Sequence, residues 1–225
     1  MKKFFRKIKR LADKILGTKA DELFWRFRHF FDRSWVERYI SEASISHPHR
    51  KLLIDKIAVY SPLSSVLEIG CSSGPNLYLL AKSFPKISLY GIDISTKAIK
   101  AGQAFFKQKE MNNVSLILGK FDGIKEFQDK SFDIVFSDAA LIYAGPDKID
   151  VIIREMLRIA KKAVVLCEQH TESKPALYRD RWIHNYKLLF QRFVPLEKIK
   201  FTKFSSGLWV GDWEKFGHII EVDLR

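Results

Sequence analysis

Val66-Leu67-Glu68-Ile69-Gly70-Cys71-Ser72-Ser73-Gly74-Pro75-Asn76 joins an apolar strand-like run to a loop of small residues and then to a proline that opens a helical pattern. Such a junction lets backbone pass close to a ligand without side-chain collision, and in a doubly wound sheet the ligand sits at the carboxyl ends of the strands. Asp93 ends the next strand pattern, 23 residues after Gly70. There a carboxylate can accept hydrogen bonds from both hydroxyls of a ribose. A dinucleotide fingerprint needs glycine at position 72 and glycine or alanine at 75, whereas the chain has Ser72 and Pro75, so a bound pyrophosphate is disfavoured. Glu68 is expected to aim a negative charge at the same pocket, which suits a cation better than a phosphate.

These residues resemble the first motif, hhE/DxGxGxG, of the class I S-adenosylmethionine-dependent methyltransferases, with Ser72 in place of the middle glycine. Gly91-Ile92-Asp93-Ile94-Ser95 is similar to the family's ribose-binding second motif, and Lys130-Ser131-Phe132-Asp133-Ile134-Val135-Phe136 to its fourth strand. The resemblance runs from about His47 to the C-terminus, with looser likeness to methylases of surface-sugar biosynthesis. It implies an α/β, Rossmann-like three-layer sandwich: a mostly parallel seven-stranded sheet with an antiparallel C-terminal strand, here carrying an N-terminal helical extension. It implies S-adenosylmethionine as cofactor. By the same likeness Glu68, Gly70, Cys71, Ser72, Gly74 and Asn76 surround its methionine and ribose portions, and Asp93 with Ile94 holds the ribose. Asp122 or Phe121 meets the adenine, Arg50 or else His47 pairs with the carboxylate, and Ser137 closes the fourth strand beside it.

The methyl acceptor is expected beyond the fourth and fifth strands, where Ser137, Asp138, Tyr143, Glu168, Gln169 and His170 fall. Methyl transfer is a displacement whose rate comes largely from alignment, and a hydroxyl acceptor also needs a base. His170 is the natural base because its ordinary pKa lies near neutrality; Tyr143 is expected to border the methyl group and Asp138 to orient cofactor or substrate. Arg179, Arg181 and Trp182 make a candidate substrate wall, suited to an anionic acceptor such as a sugar acid because guanidinium forks bind carboxylates bidentately. Trp209 and Trp213 flank Gly211-Asp212, where they stack on a sugar or pack as surface rings.

Short apolar runs alternating with helical patterns position these groups, the signature of βαβ units. Strands are expected at 64–69, 88–93, 114–118, 132–137 and 162–168, and helices at 76–83, 95–110 with Ser95 as N-cap, 147–161 and 177–191. Runs at 197–205 and 216–224 read as an antiparallel pair. The expected strand order 3-2-1-4-5 keeps Cys71 and Cys167 apart, so no disulfide is expected. Ahead of these, residues 4–16 have the spacing of a basic amphipathic helix stopped at Gly17-Thr18, and Phe24 to Tyr39 form an aromatic-rich helical stretch whose rings are expected in the core. The domains are therefore read as an extension, 1–50, and a methyltransferase domain, 51–225.

Composition narrows the function. With 47% apolar and 29% charged residues in 225, the chain is one folded domain rather than a disordered one. It lacks the roughly 18–20 apolar residues in a row that a spanning helix needs, and a cytoplasmic location is expected. The net charge is +13, but residues 1–33 alone carry eleven basic and four acidic residues. That concentration favours peripheral contact of residues 1–16 with an anionic membrane at its inner face over nucleic acid as partner. Two cysteines, and two histidines at i, i+2, argue for no metal. The expected activity is methyl transfer to an O or N atom of a small molecule, a saccharide or sugar acid foremost. An RNA or protein methyltransferase using the basic surface, and a noncatalytic membrane-associated binding protein that keeps the fold, remain alternatives.

Overall fold

The computed structural model describes residues 11–12, 15–27, 34–179 and 181–225. Seven strands form one sheet: β1 (Ser65–Ile69), β2 (Ser88–Asp93), β3 (Val114–Leu118), β4 (Phe132–Asp138), β5 (Ala160–Gln169), β8 (Ile199–Lys203) and β9 (Gly217–Asp223), in the order β3-β2-β1-β4-β5-β9-β8. The first five pair in parallel, while β9 runs antiparallel to both β5 and β8. This is the architecture expected from the sequence.

Strand alternation explains why both faces are covered. Val66, Ile134, Phe136, Ala163 and Val165 join the core beneath helices Pro48–Ala58, Pro75–Ser83 and Thr96–Gln108. Their neighbours Leu67, Ile69, Val135, Val164 and Leu166 face the opposite core, which helix Ile149–Ile159 completes with Ile149, Ile152, Ile153 and Met156. Ser95 caps its helix, its hydroxyl accepting from the Ala98 N–H at 3.3 Å. Cys71 and Cys167 are buried and free.

The expected helix over 177–191 is a correction. Ala176–Tyr178 (β6) and Arg181–Ile183 (β7) pair as an antiparallel hairpin, with Leu177 opposite Trp182, and only Tyr186–Phe190 is helical. Aromatic and β-branched residues favour the pleated pairing, and Asn185 starts the short helix by accepting from the Leu188 N–H at 3.0 Å.

Of the N-terminal basic helix, residues 4–10, 13 and 14 lie outside the described residues; Leu11, Ala12, Ile15 and Leu16 are helical and Gly17 turns the chain with φ 53°. The aromatic stretch becomes two helices, Thr18–Phe27 and Trp35–Tyr39, with 28–33 outside the described residues. The first is fastened across the loops that follow β3 and β4. Thr18 Oγ1 donates to Asp147 at 2.8 Å and accepts from the Gly145 N–H at 2.7 Å. Glu22 pairs with Lys120 at 2.6 Å and Lys148 at 2.8 Å. Residues 50 and 51 lie together inside helix Pro48–Ala58.

Candidate functional site

A cavity of about 340 Å³ opens at the carboxyl ends of the parallel strands. Gly70, Cys71, Ser72, Asp93 and Ile94 form one part of its wall, with Gly119 and Phe121 beyond them. Gly70 takes φ 75°, and a Cβ there would stand 2.3 Å from that of Ala140, so only glycine keeps this approach open. Ser72, the departure from the family pattern, adopts the left-handed conformation itself, φ 51°. The Ser72 N–H donates to Asp93 Oδ2 and the Ser95 N–H to Oδ1, both at 2.8 Å. Burial raises the Asp93 pKa against those two hydrogen bonds. Each oxygen keeps a further lone pair, which is what two ribose hydroxyls require.

Buried polar atoms also line this wall without hydrogen-bond partners of their own: Glu68 Oε2, Ser72 Oγ and Asp138 Oδ1. Unmatched groups of this kind are what a polar ligand would satisfy, so the residues present fit S-adenosylmethionine. The charge expected on Glu68 is corrected, however. Burial pushes its carboxyl up to about 8 despite a 2.6 Å hydrogen bond from Asn76, so near neutrality it is a protonated, neutral group.

Asp138 carries the charge instead. Burial alone would raise its pKa, but the charges of His49 and Arg50, with hydrogen bonds from His49 and Asn76, hold it well below the usual carboxylate range. Its Oδ2 lies 3.1 Å from His49 Nε2, 2.8 Å from Arg50 Nη1 and 3.0 Å from Asn76 Nδ2. Arg50 also donates to Asn76 Oδ1 at 2.7 Å. One ligand-type atom each from His49, Asp138 and Cys167 falls within 4.8 Å of the others. Asp138 is already ion-paired with Arg50 through Oδ2, and burial pushes the Cys167 thiol far from the thiolate a metal takes.

The other part of the cavity is aromatic. Trp25, Trp35, Tyr39 and Tyr143 line it together, with Trp25 edge-on to Tyr143 at 4.9 Å and to Trp35 at 5.6 Å. The rings expected in the core thus divide: Trp35 is buried yet lines the cavity, and Phe27 is exposed. Across from them Trp209 stacks on Trp213 at 4.1 Å and on His49 at 4.0 Å. The loop that presents Ile142 and Tyr143 is shaped by Glu168, whose Oε1 accepts from the Ser137 hydroxyl and from the Ala140 and Leu141 N–H groups at 2.9–3.0 Å.

Of the residues singled out in the sequence, Arg50, Glu68, Gly70, Cys71, Ser72, Asn76, Asp93, Ile94, Phe121, Asp138, Tyr143 and Arg181 line this one cavity. Gly74 does not; it turns the chain into helix Pro75–Ser83 at φ 85°, where a Cβ would strike Phe106. Asp122 pairs with Lys148 at 2.8 Å, and Ser137 is consumed by Glu168. His170 is a clearer correction. Strand β5 runs on to Gln169, which carries His170 away from the cavity; its Nδ1 accepts from the Tyr186 N–H at 3.3 Å, and Phe201 packs 4.6 Å from its ring. Burial lowers its pKa. Arg179 sits at the tip of the β6–β7 hairpin, exposed and paired with Asp212 at 3.0 Å, and Trp182 is a hairpin strand residue outside the cavity lining. His49, Trp25 and Tyr39 join the lining although the sequence did not point them at the cavity, because their segments meet the strand ends only in the folded chain.

Fold and cavity together define a methyltransferase-type α/β protein. A model of the methyltransferase domain matches residues 61–221, and the chain belongs to that family. It is 31% identical over 122 residues to the protein-L-isoaspartate O-methyltransferase of Pyrococcus horikoshii, covering 54% of this chain and 52% of that one. It is 30% identical over 132 residues to the demethylmenaquinone methyltransferase of Geobacillus stearothermophilus, covering 58% and 53%. The chain thus spans about half the length of these curated relatives. In fold it is similar to the magnesium protoporphyrin IX methyltransferase of Synechocystis, solved with bound SAM, with a TM-score of 0.65 at 14% identity over 92% of this chain and 97% of that one.

Proposed function

We propose that this chain transfers the methyl group of S-adenosylmethionine to an oxygen or nitrogen atom of a small molecule, with a saccharide or sugar acid as the acceptor class. The single observation that carries the reading is one cavity in which the Gly70–Ser72 loop and Asp93 meet an aromatic compartment. S-adenosylmethionine, when bound, supplies an electrophilic methyl group on a positively charged sulfur. Asp93 would hold its ribose hydroxyls and Phe121 its adenine, while the Arg50 guanidinium, fixed by Asp138 and Asn76, would face its carboxylate. Tyr143 lines the acceptor side beside the edge of Trp209, whose faces are covered by Trp213 and His49, and Arg181 brings a guanidinium suited to an acid group. Holding donor and acceptor side by side in one cavity would fix the line of attack.

The proposal extends to the N-terminus. Residues 1–50 are read as an extension that completes the acceptor compartment of a domain spanning 51–225, since Asp21, Glu22 and Trp25 line the cavity. The outward side of the same region exposes Leu11, Ile15, Leu16, Leu23 and Phe27, with exposed Lys19 and Arg26 among them. That combination favours peripheral contact with an anionic inner membrane face, and hence a lipid-linked acceptor. No helix among the described residues is long and apolar enough to cross a membrane. Acidic Asp21 and Glu22 at the cavity and the outward, paired Arg179 weigh against an RNA substrate.

The test is a transfer assay with radiolabelled methyl donor against saccharides, sugar acids, RNA and peptides, with and without anionic vesicles. Label in a saccharide, enhanced by vesicles, is expected. Label confined to RNA or peptide would overturn the acceptor class, and binding of donor without transfer to any class would favour the noncatalytic alternative.

A further inference from the structure

Glu68 stands one residue from the end of β1, is only 1% exposed, and still lines the cavity. Its Oε1 accepts from Asn76 Nδ2 at 2.6 Å, while Oε2 has no hydrogen-bond partner. Arg50, the cation whose charge reaches it, is already engaged: Nη1 donates to Asp138 Oδ2 at 2.8 Å and to Asn76 Oδ1 at 2.7 Å, and Nε to the Ser44 carbonyl at 2.9 Å. Among the described residues no basic side chain forms an ion pair with Glu68; His49 and Arg50 both turn to Asp138. A carboxyl taken out of water without a counter-ion keeps its proton. The surrounding elements hold it in that state. Asp138 from β4 and Asp93 from β2 add negative charge, and with burial they outweigh Arg50 from helix Pro48–Ala58 and the Asn76 hydrogen bond from helix Pro75–Ser83. The neighbouring Cys71 thiol also stays protonated by burial. Because Oε1 is taken as an acceptor, the proton falls to Oε2, the oxygen left unpartnered.

We propose that Glu68 exchanges its proton for the positive charge of the donor, so that the bound ligand becomes the counter-ion the protein does not supply; this rests on the methyl-transfer reading above. S-adenosylmethionine carries two cationic groups, its sulfonium and its α-ammonium. An opposite charge within about 4–6 Å favours the ionised form of a carboxyl. On binding, the O–H bond at Oε2 breaks, its electron pair stays on the carboxylate and the proton leaves to buffer. The positive charge that enters with the ligand is balanced by the one that departs. Glu68 is thereby a specificity-determining residue for the donor side. A nucleoside that brings no cation leaves it protonated and gains nothing from it, whereas a cationic one converts a neutral wall into an ion pair.

The test is calorimetric titration of the full chain in two buffers of different ionisation enthalpy, from about pH 5.5 to about pH 7, below the range in which an α-amino group titrates. The probes are S-adenosylmethionine, S-adenosylhomocysteine, which lacks the sulfonium, and 5′-methylthioadenosine, which lacks both cations. For S-adenosylmethionine the expected result is release of about one proton, with affinity rising about tenfold for each pH unit, and loss of both effects in Glu68→Gln. Release with S-adenosylmethionine alone assigns the sulfonium as the counter-ion, and release with S-adenosylhomocysteine as well assigns the ammonium. Binding of S-adenosylmethionine without proton release, release that persists with 5′-methylthioadenosine, or release unchanged in Glu68→Gln would overturn the proposal and leave the methyl-transfer reading standing. Absence of S-adenosylmethionine binding would reject that reading itself. Should Glu68→Gln fail to fold, carbon spectra of wild-type chain labelled with 13C-glutamate decide: one protonated carboxyl signal is expected to move to the ionised position on adding S-adenosylmethionine, and a spectrum that does not change overturns the proposal. Glu168, the other glutamate that burial raises, lies outside the cavity lining and is expected to keep its signal.

Discussion

The two parts of the cavity are built differently. The wall around Gly70 and Asp93 comes from the ends of two adjacent strands and the turn between β1 and its helix, held by backbone hydrogen bonds to one carboxylate. The aromatic wall is collected from helix Thr18–Phe27, helix Trp35–Tyr39, the turn after β4 and the Trp209 loop, with Arg181 added from the β6–β7 hairpin. Sheet register fixes the first to within the pleat of neighbouring strands. The second depends on docking, through Thr18, Glu22 and ring packing. One region can therefore keep the same donor while the other is altered for a different acceptor.

Substitutions can separate the two. The largest effect is expected for Gly70→Ala, which combines a left-handed backbone with a Cβ inside contact distance of Ala140. A stability loss of roughly 2–5 kcal/mol is expected in denaturant unfolding, along with loss of S-adenosylmethionine binding. Next is Glu68→Gln. Because the folded chain retains the Glu68 proton from about pH 4.5 to about 8 while the unfolded chain releases it, stability falls as pH rises through that window. The amide cannot titrate, so the variant should lose less stability between pH 5 and 8, by on the order of a few kcal/mol. Identical slopes for the two proteins would contradict a buried neutral carboxyl.

Asp93→Ala should weaken S-adenosylmethionine binding by roughly 1–3 kcal/mol in calorimetry while leaving amide exchange in helix Thr18–Phe27 unchanged. Thr18→Val should do the reverse. Losing its bonds to Asp147 and Gly145 costs about 1 kcal/mol of local stability, read as faster amide exchange in that helix, with donor affinity within about twofold of wild type. A variant of either kind that disturbed both regions equally would show that they form one cooperative unit.

The same division decides what could be read from the sequence. Strands β1 to β5, the Ser95 cap and the final antiparallel pair follow from apolar runs and local caps, and Gly70 and Asp93 follow from spacing within one βαβ unit. Of Phe121 and Asp122, neighbours in sequence, Phe121 lines the cavity while Asp122 turns to Lys148, a difference that spacing alone does not show. His170 misled because its ordinary pKa suited the chemistry, yet β5 extends far enough to bury it against Tyr186 and Phe201. The residues from 176 to 183 misled because their aromatic content supports either helix or hairpin, and cross-strand pairing settled it. Trp25 and Tyr39 read locally as core rings and His49 as half of a histidine pair; only tertiary docking places them on the cavity.

The most direct measurement is calorimetric titration of the purified chain with S-adenosylmethionine and S-adenosylhomocysteine, with NAD as the comparison ligand. Saturable binding of the first two and none of the third is the predicted result. Binding of NAD, or of none of the three, would contradict the assignment of the Gly70–Asp93 wall to a methyl donor.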